Sequence, residues 1–74
     1  MDDIRKRFGA TVARLRKEQG MSQEVFAFQA ELHRTYVSGI ERGARNPTLT
    51  VVERVAAGLG ISMGKLMDAV DPGK

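Results

Sequence analysis

Cysteine and tryptophan are absent from this 74-residue chain, tyrosine and histidine occur once each, and proline twice. Without cysteine there is no disulfide framework and no thiolate metal site. The single histidine, His33, has no second base or nucleophile beside it, so general acid–base catalysis lacks a partner. Carboxylate clusters and metal-ligand spacings are missing as well, and no enzyme, metal or cofactor is expected. Apolar runs are short: none approaches the ~20 residues of a membrane span, and the N-terminus carries no apolar signal block. The expectation is a soluble, cytoplasmic protein without a membrane role.

What is present is an aliphatic core with a basic surface. Apolar residues make up 42% of the chain, with three Phe among them, enough for one small, compact domain spanning residues 1–74 with a frayed tail at about 71–74. The net charge of +3 is unevenly placed. Arg5, Lys6, Arg7, Arg14, Arg16 and Lys17 load the first segment, and Arg34, Arg42 and Arg45 load a second stretch. Such an excess suits a polyanion, although a solvated helix face accounts better for Arg5, Lys6, Arg7 and Lys17.

Spacing predicts five short helices and no strand. Ile4, Phe8, Val12 and Leu15 form an apolar stripe on a first helix from about Asp3 to Glu18, with Asp2 and Asp3 at its dipole-favoured end and Gly20 at its stop. Gly9 inside it marks a close packing contact or simple tolerance. Ser22, followed by Gln23 and Glu24, caps a second helix with Phe26, Ala27 and Ala30 inward. After a break at Glu31 and Leu32, the string RTYVSGIERG gives a third helix, with Val37 and Ile40 inward and Gly43 at its end. Asn46 before Pro47 is extended loop. Thr48 or Thr50 caps a fourth helix with Leu49, Val52, Ala56 and Leu59 on one face, stopped by Gly58 and Gly60. Ser62 caps a fifth with Met63, Leu66, Met67 and Val70.

Two short helices joined by a tight turn inside an all-helical domain suggest a helix-turn-helix, whose second helix enters the major groove of DNA N-terminal end first. That role requires an apolar inner face, Val37 and Ile40, and a polar outer one, Arg34, Thr35 and Ser38. The whole string SQEVFAFQA–ELHRTYVSGIERGARNPT resembles the lambda-repressor-like, XRE-type helix-turn-helix family. Phe28 after Phe26–Ala27, with RTYVSGIERG, resembles the restriction-modification controller proteins within it. The likeness extends over about residues 8–67 and implies an all-α, five-helix DNA-binding domain with its helix-turn-helix in helices 2 and 3.

The resemblance also assigns roles. It makes Gln23 a phosphate ligand that braces the reading helix, and Arg34 and Thr35 readers of bases. Arginine can bond guanine O6 and N7 together, and threonine can offer its hydroxyl or meet a thymine methyl. Tyr36, Ser38, Arg42 and Asn46 match positions touching backbone or neighbouring bases, with half-buried packing the alternative for Tyr36. Arg45 matches an arginine reaching toward the minor groove, and His33 stands at the helix start near a phosphate. Glu41 and Arg16 match a structural ion pair between helices 1 and 3. Two positions depart from the family pattern. Glu31 stands where glycine is usual, which requires either a different turn geometry or some strain. Gly39 stands where related repressors carry a reading side chain, which brings the backbone closer to DNA instead.

Val51 and Val55, off the expected stripe of helix 4, join Ile61, Met63 and Met67 as a homodimer surface, the alternative being that they complete the core of the protomer. Phe28 falls on the outward side of helix 2, with packing under the corner of helices 1 and 2 as its available burial. The expected partner is double-stranded DNA, bound by a dimer at a palindromic operator, with RNA polymerase a further partner and no small-molecule effector. The controller resemblance implies regulation of the chain's own promoter and that of an endonuclease; the alternative is an antitoxin that also binds a toxin and represses its operon.

Overall fold

The computed structural model describes residues 3–73, so Asp2, assigned above to the start of the first helix, and Lys74 of the tail lie outside the described residues. Five helices follow one another: α1 (Ile4–Glu18), α2 (Gln23–Ala30), α3 (Arg34–Glu41), α4 (Leu49–Leu59) and α5 (Met63–Val70). No strand occurs among the described residues. This is the all-α, five-helix arrangement expected from the sequence.

Each helix starts on a side chain that accepts a backbone N–H. Asp3, Ser22, Thr48 and Ser62 do so for α1, α2, α4 and α5. His33 is less usual: its Nδ1 accepts the Thr35 N–H at 3.2 Å and so caps α3. Asp3 also takes hydrogen bonds from the Arg5 side chain and backbone, which hold its carboxyl at about 2, below the usual 3.8. The helices end alike. Residues 20, 31, 43 and 60 all have positive φ, three of them glycine and the fourth Glu31 at φ 57°, ψ 42°. The turn therefore keeps the geometry glycine would give it, and Glu31 carries the strain.

Two helix crossings build the body. At the first, α1 packs on α3, and a Cβ on Gly9 would collide with the backbone carbonyl oxygen of Ile40. Gly9 is thus a contact residue, and its cost to helix propensity is offset by backbone approach. At the second, α2 packs on α4, where a Cβ on Gly58 would stand 2.8 Å from the Ala30 Cβ. The largest fully buried side chains are Phe26, Ile40, Leu66, Val12, Val37 and Val55, so every helix contributes to one core. Gln19 ties the far ends of α1 and α4 together, donating its amide to the Leu59 carbonyl at 2.8 Å.

The inward stripe of α4 differs from the expected one. Val52, Val55, Ala56 and Leu59 turn inward, while Leu49, in the first turn, is 80% exposed. Val55 is 0% exposed and belongs to the core of the protomer, not to a surface available for assembly. The spacing 49–52–56–59 and the spacing 52–55–56–59 share three residues, so periodicity cannot choose between them. Val51, Ile61 and Met63 are half-buried against the same core, and Met67 is 37% exposed. Ile4, assigned to the α1 stripe, is 47% exposed, and Phe28 remains 85% exposed instead of packing under the α1–α2 corner.

Candidate nucleic-acid interface

The α2–turn–α3 unit is fixed from behind by one polar cluster. Arg16 of α1 donates from Nε to Glu41 Oε2 at 2.7 Å and from Nη2 to Glu41 Oε1 at 3.0 Å. Its Nη1 donates to the Met21 carbonyl at 2.8 Å, and Gln23 donates its amide to Glu41 Oε1 at 2.9 Å. The Arg16 and Glu41 side chains are 9% and 7% exposed, and hydrogen bonds to Glu41 raise the Arg16 pKa above its ordinary value. Among the described residues no buried side-chain nitrogen or oxygen lacks a partner. Burying this charge pair is tolerable because its polar atoms are satisfied. Gln23 thereby links the start of α2 to the end of α3.

On the opposite side α3 presents polar groups. Val37 and Ile40 are buried, whereas Arg34, Thr35 and Arg42 are exposed and Ser38 is half-buried. Thr35, Ser38 and Arg42 follow one another at helical spacing along one face. Arg42 Nη1 donates to Ser38 Oγ at 2.5 Å, which fixes that arginine along the helix. Arg45 continues the basic surface from the following loop, its guanidinium 5.1 Å from the centre of the Tyr36 ring. Among the described residues, Arg34, Arg42 and Arg45 have no carboxylate partner, while Arg5, Arg14 and Arg16 have one. Arg7 of α1 and Arg54 of α4 are unpaired among the described residues as well, so three of the five unpaired guanidiniums stand on α3 and the residues that follow it.

The structure brings Arg34, Thr35 and Ser38 onto one helix, places Arg42 at its C-terminal cap and seats Arg45 against Tyr36. Asn46, next in the chain after Arg45, lines a groove of about 150 Å³ with Ile4, Arg5, Phe8, Pro47, Val52 and Met67. Tyr36 is half-buried against the core as well as in contact with Arg45. Gly39 does not leave an open approach to the helix backbone: the Arg45 side chain fills the space beside it. Sequence spacing carried no sign of that contact, because it depends on how the loop returns. Among the described residues no group of three His, Asp or Glu side chains could hold a metal ion, and no helix is long and apolar enough to cross a membrane.

A family model described as helix-turn-helix matches residues 12–66. Control protein C.MunI of Mycoplasma sp is 47% identical over 72 residues, covering 96% of this chain and 97% of its own. Control protein C.BamHI of Bacillus amyloliquefaciens is 44% identical over 68 residues, with coverage of 90% and 84%. Among solved structures, the chain superposes on C.Esp1396I bound to a 19 base pair DNA duplex with a TM-score of 0.86 and 33% identity, covering 93% of this chain and 92% of that one. These relatives are control proteins and not enzymes, and they lend no support to the antitoxin alternative. The chain belongs to the helix-turn-helix family and, within it, to the restriction-modification controller proteins.

Proposed function

We propose that this chain is a sequence-specific transcription regulator that binds double-stranded DNA as a homodimer on a palindromic operator. The observation that carries the reading is the gathering of Arg34, Arg42 and Arg45, unpaired among the described residues, with Thr35 and Ser38 on α3 and its loop. In a helix-turn-helix the N-terminal end of the second helix meets the base edges, which gives Arg34 and Thr35 the reading positions. Ser38, Arg42, Arg45, Tyr36 and Asn46 contribute backbone and neighbouring contacts that set register. Gln23 serves both as a link to Glu41 and, through its place in the first turn of α2, as a phosphate contact.

One recognition helix reads few base pairs, and a two-fold pair of them places two reading heads roughly 34 Å apart, one turn of DNA. The pairing surface is formed by α4 and α5 through Val51, Ile61, Met63 and Met67. Control by concentration follows, through dimerisation and filling of neighbouring sites, on the chain's own promoter and that of a restriction endonuclease. The protein acts in the cytoplasm, without a small-molecule effector, and meets RNA polymerase at the promoter. Replacing Arg34 with alanine tests the reading: binding to a duplex selected from a random pool should weaken by about 1–3 kcal/mol while binding to a scrambled duplex changes little. Equal weakening on both duplexes would remove Arg34 from base reading.

A further inference from the structure

Arg45 leaves the end of α3 and folds back onto the same helix. The Gly43 N–H donates to the Ile40 carbonyl and the Ala44 N–H to the Gly39 carbonyl, both at 2.9 Å, with Gly43 at φ +76°. This paired closure ends α3 and directs the next residue back along it. A Cβ built on Gly39 would stand 2.8 Å from Arg45 Cγ and 3.2 Å from Nε. The arginine stem therefore occupies the volume that any other residue at position 39 would claim. Tyr36 lies three residues earlier, on the same helix face, and the guanidinium reaches its ring at 5.1 Å from the centroid.

We propose that Gly39 and Tyr36 are positioning residues that form a seat for Arg45, the glycine clearing a channel for its stem and the ring holding its guanidinium. The proposal rests on the DNA-binding reading of this face. A free surface arginine samples many rotamers and loses that freedom on meeting a phosphate; a seated one has lost it already. A guanidinium lying over a ring keeps its N–H edge free, so seating does not consume the donors that DNA would use. The absence of a side chain at position 39 thus serves the neighbouring loop, and the helix backbone itself is covered: Gly39 is buried although α3 is an exposed helix.

The test uses the full chain as wild type, Gly39→Ala, Arg45→Ala and the double variant. Tyr36 is the sole tyrosine, so tyrosine ring-proton resonances come from this ring alone, and comparison with Arg45→Ala separates the contribution of the guanidinium from that of the core it packs on. Gly39→Ala should fold, since the atoms it displaces belong to a flexible side chain. Its tyrosine ring resonances should move to the position they take in Arg45→Ala. On a duplex selected from a random pool, both single variants should lose affinity about three- to ten-fold, the scale of an exposed cation–π contact and arginine ordering, and the double variant should lose no more. Ring resonances and affinity of Gly39→Ala that stay at wild-type values would overturn the seat. So would a double variant weaker than Arg45→Ala, because the glycine would then clear space for DNA itself. A wild-type chain that retains no duplex at low salt would instead overturn the DNA-binding reading, and the ring-proton comparison would still decide the seat.

Discussion

Arg16 of α1 grips Glu41 of α3 with two parallel hydrogen bonds, 2.7 and 3.0 Å long, across 25 positions of sequence. The pair stands behind the recognition helix, almost sealed from water, with Gln23 and the Met21 carbonyl completing its partners. Through it α1 is tied to the C-terminal end of α3, with Gln23 of α2 on the same carboxylate.

Removing one member should leave the other buried and uncompensated. Glu41→Ala is expected to cost about 3–5 kcal/mol and to lower the melting temperature on the order of 10–20 °C or more. Its loss of DNA binding would then report unfolding and not a lost contact. Combining Arg16→Met with Glu41→Leu should recover much of the stability, because neither half of a charge pair remains. Thermal melts followed by circular dichroism decide the matter, and a double variant no more stable than Glu41→Ala would refute the clamp.

Glu31 holds a left-handed backbone at φ 57°, and its carboxylate lies at the C-terminal end of α2, where the dipole disfavours it. Glu31→Gly should relieve both effects, offset partly by the greater freedom of glycine in the unfolded chain, for a net gain of about 0.5–1 kcal/mol. For a domain of this size that corresponds to a melting temperature higher by roughly 2–8 °C. A lower melting temperature would mean that the Glu31 side chain contributes more than its backbone costs.

Val55 and Met67 separate folding from assembly. Val55 is 0% exposed, so Val55→Asp buries a carboxylate and should unfold the protomer. Met67 is 37% exposed on α5, so Met67→Asp should leave the helical signal intact and shift sedimentation toward a monomer. A fully folded Val55→Asp would contradict the core assignment, and a dimer persisting in Met67→Asp would move the interface off this part of α5.

Much of this arrangement could be read from residue order. Serine and threonine caps at 22, 48 and 62, glycine stops at 20, 43 and 60, and the inward pairs Val37 and Ile40 are local signals, set by hydrogen bonding within a turn and by the helical repeat. The face carrying Arg34, Thr35 and Ser38 follows once Val37 and Ile40 face inward. Val55 was harder, because two overlapping apolar stripes run along α4 and only contact with α2 and α5 selects one. Phe28 likewise depends on a packing partner that the protomer does not supply.

Local chemistry in the chain determined by itself that five capped helices form, that the second and third make a tight helix-turn-helix, and that arginines stand on the third and just after it. Tertiary structure alone decided that Gly9 admits the Ile40 carbonyl, that Val55 faces inward, and that Arg45 returns across Gly39 to Tyr36. The reason is one of range. Caps and stripes are settled by atoms within one or two turns, whereas a crossing, a buried face or a returning loop depends on how distant segments share space.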